Sequence, residues 1–169
     1  MILYHLRYIL RYLAHGELCT PPKIQYNIEL TEVERGDKRM ADEIGAVLVI
    51  TAHPDDADFG CSGSVAKWVS EGRDVVYVLC TSGDKGSDDP NMTSERLAAI
   101  REQEQRNAGA ALGLKDVVFL RYPDGGVEDT YEFRSQLVRL IRRFRPAIVV
   151  TQDPFRWQHR DHRTVGRVT

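Results

Sequence analysis

Two short segments of this 169-residue sequence carry residue types that can bind a metal ion and use it in hydrolysis. The first is His53-Pro54-Asp55-Asp56, and the second is His159-Arg160-Asp161-His162. Two histidines and one carboxylate would fill three positions on a zinc ion and leave the fourth open, as in catalytic rather than structural zinc sites. The residue types therefore predict a catalytic metal site, provided that the fold brings both segments together.

The adjacent carboxylates Asp55 and Asp56 are suited to different tasks. Neighbouring side chains of an extended segment point in opposite directions, so one carboxylate can bind the metal while the other faces the bound water. Pro54 restricts the backbone just before them. Each pattern alone also has an ordinary explanation, since an Asp pair after a strand often caps a helix. The combination of the two segments is what favours a site.

The elements around these segments predict that they meet. Strands are expected at 46–50, 74–80, 117–120 and 147–150, and helices at 63–71, 93–112 and 129–144. Alternating apolar strands and helices predict an open, doubly wound, Rossmann-like α/β fold with a mainly parallel sheet between two helical layers. In the strand order 3-2-1-4 the first and fourth strands are neighbours, and ligands bind beyond their carboxyl ends. The two metal-binding segments follow those ends.

Composition argues against several other classes of protein. The chain has 23 Lys and Arg against 25 Asp and Glu, a net charge of −2, whereas nucleic-acid-binding domains usually carry a basic excess. Three cysteines are too few for a disulfide framework. No apolar run is long enough for a membrane span, and His5, Arg7 and Arg11 interrupt the apolar N-terminal segment, unlike a secretion signal. We therefore expect a cytoplasmic protein with neither a nucleic-acid partner nor a transmembrane segment.

The motifs together resemble the PIG-L/LmbE family of zinc-dependent N-acetylglucosaminyl deacetylases. The likeness is carried by the two metal-binding segments, by the helical segment that begins Arg101-Glu102, and by the turn Tyr122-Pro123-Asp124-Gly125 after the third strand. It extends from about Val47 to Val168. What it implies is hydrolysis of the N-acetyl amide of an N-acetylglucosamine-containing small molecule or glycolipid, which releases acetate and a free amine.

The resemblance also implies a role for individual residues. The metal, Zn²⁺ or another divalent transition metal such as Fe²⁺, would be bound by His53, Asp56 and His162. Asp55 would be the general base, and His159 would polarise the amide carbonyl or stabilise the oxyanion. The sugar or its aglycone would be bound by Arg101 and Asp124.

Two alternative functions stay open at this point. Asp56-Ala57-Asp58 after a strand imitates the nucleophile motif of aspartyl-phosphate phosphohydrolases, which would require Mg²⁺ with oxygen ligands instead of zinc with imidazole ligands. The other alternative is a truncated Rossmann-like fragment without catalytic activity.

The sequence divides near residue 40. Residues 1–39 contain a Pro-Pro breaker and lack regular alternation, and we expect an appended extension that makes few contacts with the domain. Residues 40–169 form the deacetylase-like domain. The sequence stops at Thr169, seven residues after His162, whereas members of the family usually continue. We therefore expect a domain that is incomplete at its C-terminus and that aggregates or forms homo-oligomers through its uncovered sheet edge.

Overall fold

The computed structural model describes residues 45–156 and 158–169. Its strands are β1 (Val47–Thr51), β2 (Val75–Thr81), β3 (Asp116–Tyr122) and β4 (Ile148–Val150). Its helices are α1 (Asp56–Gly60), α2 (Ser62–Ser70), α3 (Ser94–Leu112), α4 (Tyr131–Phe144) and α5 (Arg160–Val168). The extension expected at residues 1–39 lies outside the described residues, and none of the described helices is long and apolar enough to cross a membrane.

The four strands form one parallel sheet in the order β3-β2-β1-β4. In the centre, Val49 of β1 lies opposite Tyr77 of β2 on one side and opposite Val150 of β4 on the other. β1 and β2 are buried along their whole length, as their continuous apolar sequences predict. The predicted doubly wound fold and its strand order are confirmed.

Alternating residues of the central strands build two separate cores, one on each face of the sheet. Leu48 and Ile50 of β1 face α4 and α5, where they join Phe133 and Val165. On the other face, Leu112 of α3 packs against a cluster of seven buried residues from β1, β2, α1 and α2: Val47, Val49, Ala57, Val65, Val75, Tyr77 and Leu79. Because side chains alternate along a strand, both faces need helical cover, which gives the three layers that the sequence predicts.

Helix boundaries follow the capping residues for the most part. Thr93 accepts a hydrogen bond from the Arg96 backbone N–H at 3.2 Å, and Gly113 ends α3 in the left-handed conformation at φ 76°. The start of the first helical region differs from the prediction at 63–71. Helix α1 already begins at Asp56, because Asp55 adopts φ 85° and turns the chain out of the strand at once. The segment from His53 to Asp56 is therefore a tight strand-to-helix turn.

Candidate metal centre

The side chains of His53, Asp56 and His162 meet beyond the carboxyl ends of β1 and β4. His53 Nδ1 lies 3.1 Å from His162 Nε2, and His162 Nε2 lies 3.2 Å from Asp56 Oδ1. His53 Nδ1 also lies 3.4 Å from Asp56 Oδ2. The structure thus brings together the three residues that the sequence singled out as metal ligands, although His53 and His162 are 109 positions apart.

The donor atoms of this cluster fit a divalent transition metal. Zinc bonds of about 2.0–2.2 Å to nitrogen and oxygen, arranged tetrahedrally, separate ligand atoms by roughly 3.3–3.6 Å. The separations of 3.1 Å between His53 Nδ1 and His162 Nε2 and of 3.2 Å between His162 Nε2 and Asp56 Oδ1 are close to that spacing. Two imidazole nitrogens and one carboxylate also match the ligand preference of Zn²⁺ and Fe²⁺ better than that of Mg²⁺.

The charges in the cluster favour exchange of a proton for a cation. Burial raises the pKa of Asp56, but hydrogen bonds with His162 and His53 outweigh it and hold the pKa far below its usual value. Burial lowers the pKa of His53, yet the carboxylates of Asp56, Asp124 and Asp161 outweigh it and raise the pKa. The surrounding carboxylates therefore favour positive charge at this place, and a bound metal cation would relieve the same excess of negative charge.

Asp55, which precedes Asp56 in the sequence, is held by helix α3. Its Oδ2 accepts a hydrogen bond from Arg101 Nη2 at 2.8 Å, and its backbone N–H donates to Gln105 Oε1 at 2.8 Å. Burial raises the pKa of Asp55 more than the Arg101 guanidinium lowers it. The two carboxylates contact different partners, Arg101 in the case of Asp55, and His162 and Gln152 in the case of Asp56. The left-handed backbone at Asp55 separates them, and the extended segment that the sequence predicted is absent at this point.

Arg101 is buried beneath the same turn. Besides Asp55, its Nη2 donates to the Pro54 carbonyl at 2.7 Å. Gly83 and Gly86 lie against the guanidinium, and a Cβ at Gly83 would come within 2.9 Å of Arg101 Nε. The structure thus places Arg101 where it fixes the turn that carries Asp55. Its implied contact with the sugar stays a prediction.

The other nitrogen of His53 faces two further carboxylates. His53 Nε2 lies 3.1 Å from Asp124 Oδ1 and 3.3 Å from Asp161 Oδ2. Asp161 is fully buried, and its carboxylate accepts hydrogen bonds from the backbone N–H groups of Gly125 and Val127 at 2.7 and 3.3 Å. Because ligand histidines are oriented by what their second nitrogen contacts, this pair can fix the imidazole of His53.

His159 lies at the edge of the cluster, with 45% of its side chain exposed. Its ring stands edge-on to His53, with the two ring centres 4.7 Å apart. As the N-cap of α5, its Nδ1 accepts a hydrogen bond from the Asp161 backbone N–H at 3.3 Å. In the neutral imidazole the proton is then on Nε2, the nitrogen that remains able to donate.

Three residues at the site were missed as functional candidates: Gln105, Gln152 and Asp161. Gln152 Nε2 donates to Asp56 Oδ2 at 2.9 Å, and Gln105 bonds to the backbone of Asp55. Two signals were available in the sequence. Asp161 lies inside the second motif, and Gln105 follows Arg101 by four positions, which places both on one face of a helix.

The comparisons with known proteins point in one direction. The profile of the PIG-L family, described as GlcNAc-PI de-N-acetylase, matches residues 48–169. A diacetylchitobiose deacetylase from Thermococcus kodakarensis is 37% identical over 128 residues, which is 73% of this chain and 47% of that protein. A 1D-myo-inositol 2-acetamido-2-deoxy-alpha-D-glucopyranoside deacetylase from Thermomonospora curvata is 32% identical over 156 residues, 77% of this chain and 52% of that protein.

A solved structure is similar over most of the chain. The N,N'-diacetylchitobiose deacetylase from Pyrococcus horikoshii, in complex with an inhibitor, has a TM-score of 0.72 and 31% sequence identity. The match covers 91% of this chain and 58% of that chain. This chain therefore spans about half the length of the relatives that it matches.

Proposed function

Because this chain belongs to the PIG-L family, we propose that it hydrolyses the N-acetyl amide of an N-acetylglucosamine-containing small molecule or glycolipid. The observation that carries the proposal is the convergence of His53, Asp56 and His162, with Asp55 held beside them on a separate hydrogen-bond network. The products would be acetate and a free amine. Hydrolysis of an acetamide needs a polarised carbonyl, an activated water and a proton for the departing nitrogen.

His53, Asp56 and His162 would hold the metal, with Zn²⁺ as the first candidate and Fe²⁺ as another. When bound, such a metal lowers the pKa of a water molecule to about 7 and polarises a carbonyl oxygen. The imidazoles of His53 and His162 argue against the alternative phosphohydrolase function, because the Mg²⁺ ion of such an enzyme prefers oxygen ligands. The chain's own residues supply the remaining chemistry.

Asp55 is the proposed general base. Its carboxylate takes a proton from the attacking water as the water oxygen bonds to the acetamide carbon. When the C–N bond breaks, the same carboxyl group returns that proton to the nitrogen, which leaves as an amine. Arg101 holds this carboxyl group and Gln105 holds the Asp55 backbone N–H, each through a hydrogen bond of 2.8 Å, so the proton transfer needs little rearrangement.

His159 is the proposed donor to the carbonyl oxygen. Since its Nδ1 accepts the Asp161 N–H, its Nε2–H is left to donate as negative charge develops on the oxygen during attack. Its exposed position at the rim of the cluster suits contact with a substrate.

For the sugar we propose Asp124 and Arg101, as the resemblance implies. Asp124 lies beside His53 on the loop after β3, and Lys85 donates to its carbonyl oxygen at 2.6 Å, which fixes that loop. A carboxylate in this place can accept hydrogen bonds from sugar hydroxyl groups. We further propose a cytoplasmic enzyme with a small-molecule substrate, and a homo-oligomer remains our expectation from the sequence.

The test is acetate and amine release by the metal-loaded chain. The 169-residue protein would be loaded with Zn²⁺ or Fe²⁺ and incubated with N,N'-diacetylchitobiose and, separately, with N-acetylglucosaminyl-inositol. Equal amounts of acetate and primary amine from either substrate, absent with Asp55→Asn, would support the proposal. A metal-loaded chain that releases neither product would favour the non-catalytic alternative. Phosphate release from p-nitrophenyl phosphate with Mg²⁺ would favour the phosphohydrolase.

A further inference from the structure

The Gln152 side chain crosses from the end of β4 to the metal-binding turn after β1. Its Oε1 accepts a hydrogen bond from the Ala52 backbone N–H at 3.0 Å, and its Nε2 donates to Asp56 Oδ2 at 2.9 Å. These two partners fix which way the amide points, because a backbone N–H can only donate and an ionised carboxylate can only accept. The amide therefore presents a donor, and no acceptor, to Asp56.

The two oxygens of Asp56 consequently differ. Oδ2 accepts from Gln152 Nε2 and from the His53 backbone N–H at 2.8 Å, and two N–H donors occupy the lone pairs of one carboxylate oxygen. Oδ1 lies 3.2 Å from His162 Nε2, on the side of the ligand cluster. Oδ2 also lies 3.4 Å from His53 Nδ1, so both oxygens border the cluster, but Oδ2 is the oxygen that the two N–H donors bind.

We propose that Gln152 is a positioning residue that makes Asp56 a one-oxygen ligand, through Oδ1, and thereby keeps the fourth metal position open. The inference rests on the proposed metal site. If both oxygens of Asp56 bound the metal, the second would take the position that water or the acetamide oxygen requires in a catalytic site with three protein ligands. Gln152 opposes this because its N–H, together with the His53 backbone N–H, occupies the lone pairs of Oδ2.

The backbone of Gln152 is itself fixed by the helix that carries His162. Gly166 of α5 packs so closely that a Cβ there would lie 2.0 Å from the Gln152 carbonyl oxygen. Gln152 and His162 therefore belong to one packed unit, and the amide is positioned relative to the cluster on both sides. A residue held in this way can set the orientation of a ligand carboxylate.

The experiment replaces Gln152 and measures how the full chain binds Co²⁺. Gln152→Met keeps the length of the side chain but can neither donate to Asp56 nor accept from Ala52. Gln152→Glu keeps an acceptor for the Ala52 N–H and removes only the donor to Asp56. Gln136→Met and Gln136→Glu on α4, away from the cluster, are matched controls, since the Gln136 amide donates to the Glu132 carboxylate and not to Asp56. Co²⁺ absorbs visible light more strongly when four-coordinate than at higher coordination numbers, so its spectrum reports the change.

We expect Gln152→Met to weaken Co²⁺ binding by about 10- to 100-fold. Both Gln152 variants should show weaker visible absorption per bound Co²⁺, and the Gln136 variants should match the wild type. Thermal unfolding of the metal-free proteins shows which variants fold, and Gln152→Glu provides the test if the Met variant does not. If the spectra of the folded Gln152 variants coincide with that of the wild type, the inference about Gln152 is overturned and the proposed metal site stands. A wild-type chain that binds no Co²⁺ would overturn the proposed metal site as well.

Discussion

Asp55 and Asp56 are neighbours in the sequence, yet the structure gives them opposite surroundings. Asp56 is held by His162, His53 and Gln152, which keeps it ionised, whereas Asp55 lies against Arg101 with a raised pKa. One carboxylate thus suits a permanent ligand and the other a proton carrier, because a base that titrates closer to neutral pH transfers protons more readily. The left-handed turn at Asp55 creates this division.

Substitution of these residues should separate metal binding from catalysis. We expect Asp55→Asn to retain bound metal and to lose roughly 100- to 10,000-fold in kcat, because the base is removed and the ligands are not. His162→Ala should lose both metal and activity. Metal content by elemental analysis and kcat on the active substrate provide the measurements. Unchanged turnover in Asp55→Asn would exclude Asp55 as the general base.

The acid side of the pH profile should depend on Arg101. The pKa of Asp55 is raised from 3.8 by burial, and the Arg101 guanidinium partly opposes that rise. A base acts only when ionised, so kcat/KM should fall as the pH drops through this raised pKa. In Arg101→Met the opposing charge is gone, the pKa rises further, and the fall should begin at higher pH. Profiles of wild type, Arg101→Met and the surface control Arg134→Met test this, and identical acid limbs would contradict it.

At the scale of the elements, α5 packs against the backbone just after β4 through Gly166. A Cβ at Gly166 would lie 2.0 Å from the Gln152 carbonyl oxygen, so Gly166→Ala must push the helix and the strand end apart. We expect a loss of about 1–3 kcal/mol in the free energy of unfolding. Metal binding should weaken with it, because His162 moves with α5.

The matched control for this substitution is Gly63→Ala in α2, where a Cβ would meet nothing within 4 Å. It should leave stability and metal affinity unchanged or slightly improved, since Ala favours a helix over Gly. Denaturant unfolding and metal titration of both variants provide the comparison. Equal effects of the two substitutions would show that the contact at Gly166 does not matter.

Sequence patterns predicted the elements better than the contacts between them. Apolar runs predicted the strands and capping residues predicted the long helix α3, and parallel winding then placed His53 and His162 at one edge of the sheet. The early helix α1 was missed because an Asp residue gives no sign of a left-handed backbone. Gln105 and Gln152 were missed because a glutamine amide can pair with almost any polar group, and only the packed structure selects its partners.

At the scale of the molecule, the metal site joins distant parts of the sequence. His53 and His162 are 109 positions apart, and the unfolded chain cannot hold them together without a large entropic cost. Metal should therefore bind the folded state almost exclusively and stabilise it by about 2.7 kcal/mol at a free concentration of 100 times Kd. Unfolding curves with and without Zn²⁺ measure the effect, and His162→Ala should show none. A metal that leaves the wild-type curve in place would contradict the expectation.

Because the ligands follow β1 and β4, metal binding during refolding should report when these two strands pair. The two strands are adjacent in the sheet but lie at opposite ends of the described sequence, so their pairing is the most non-local step that the sheet requires. The ligand cluster exists only after that step. In refolding with Co²⁺ present, the colour of the bound ion should therefore appear no earlier than the final closure of the sheet, while helical circular dichroism from locally formed α3 and α4 can precede it.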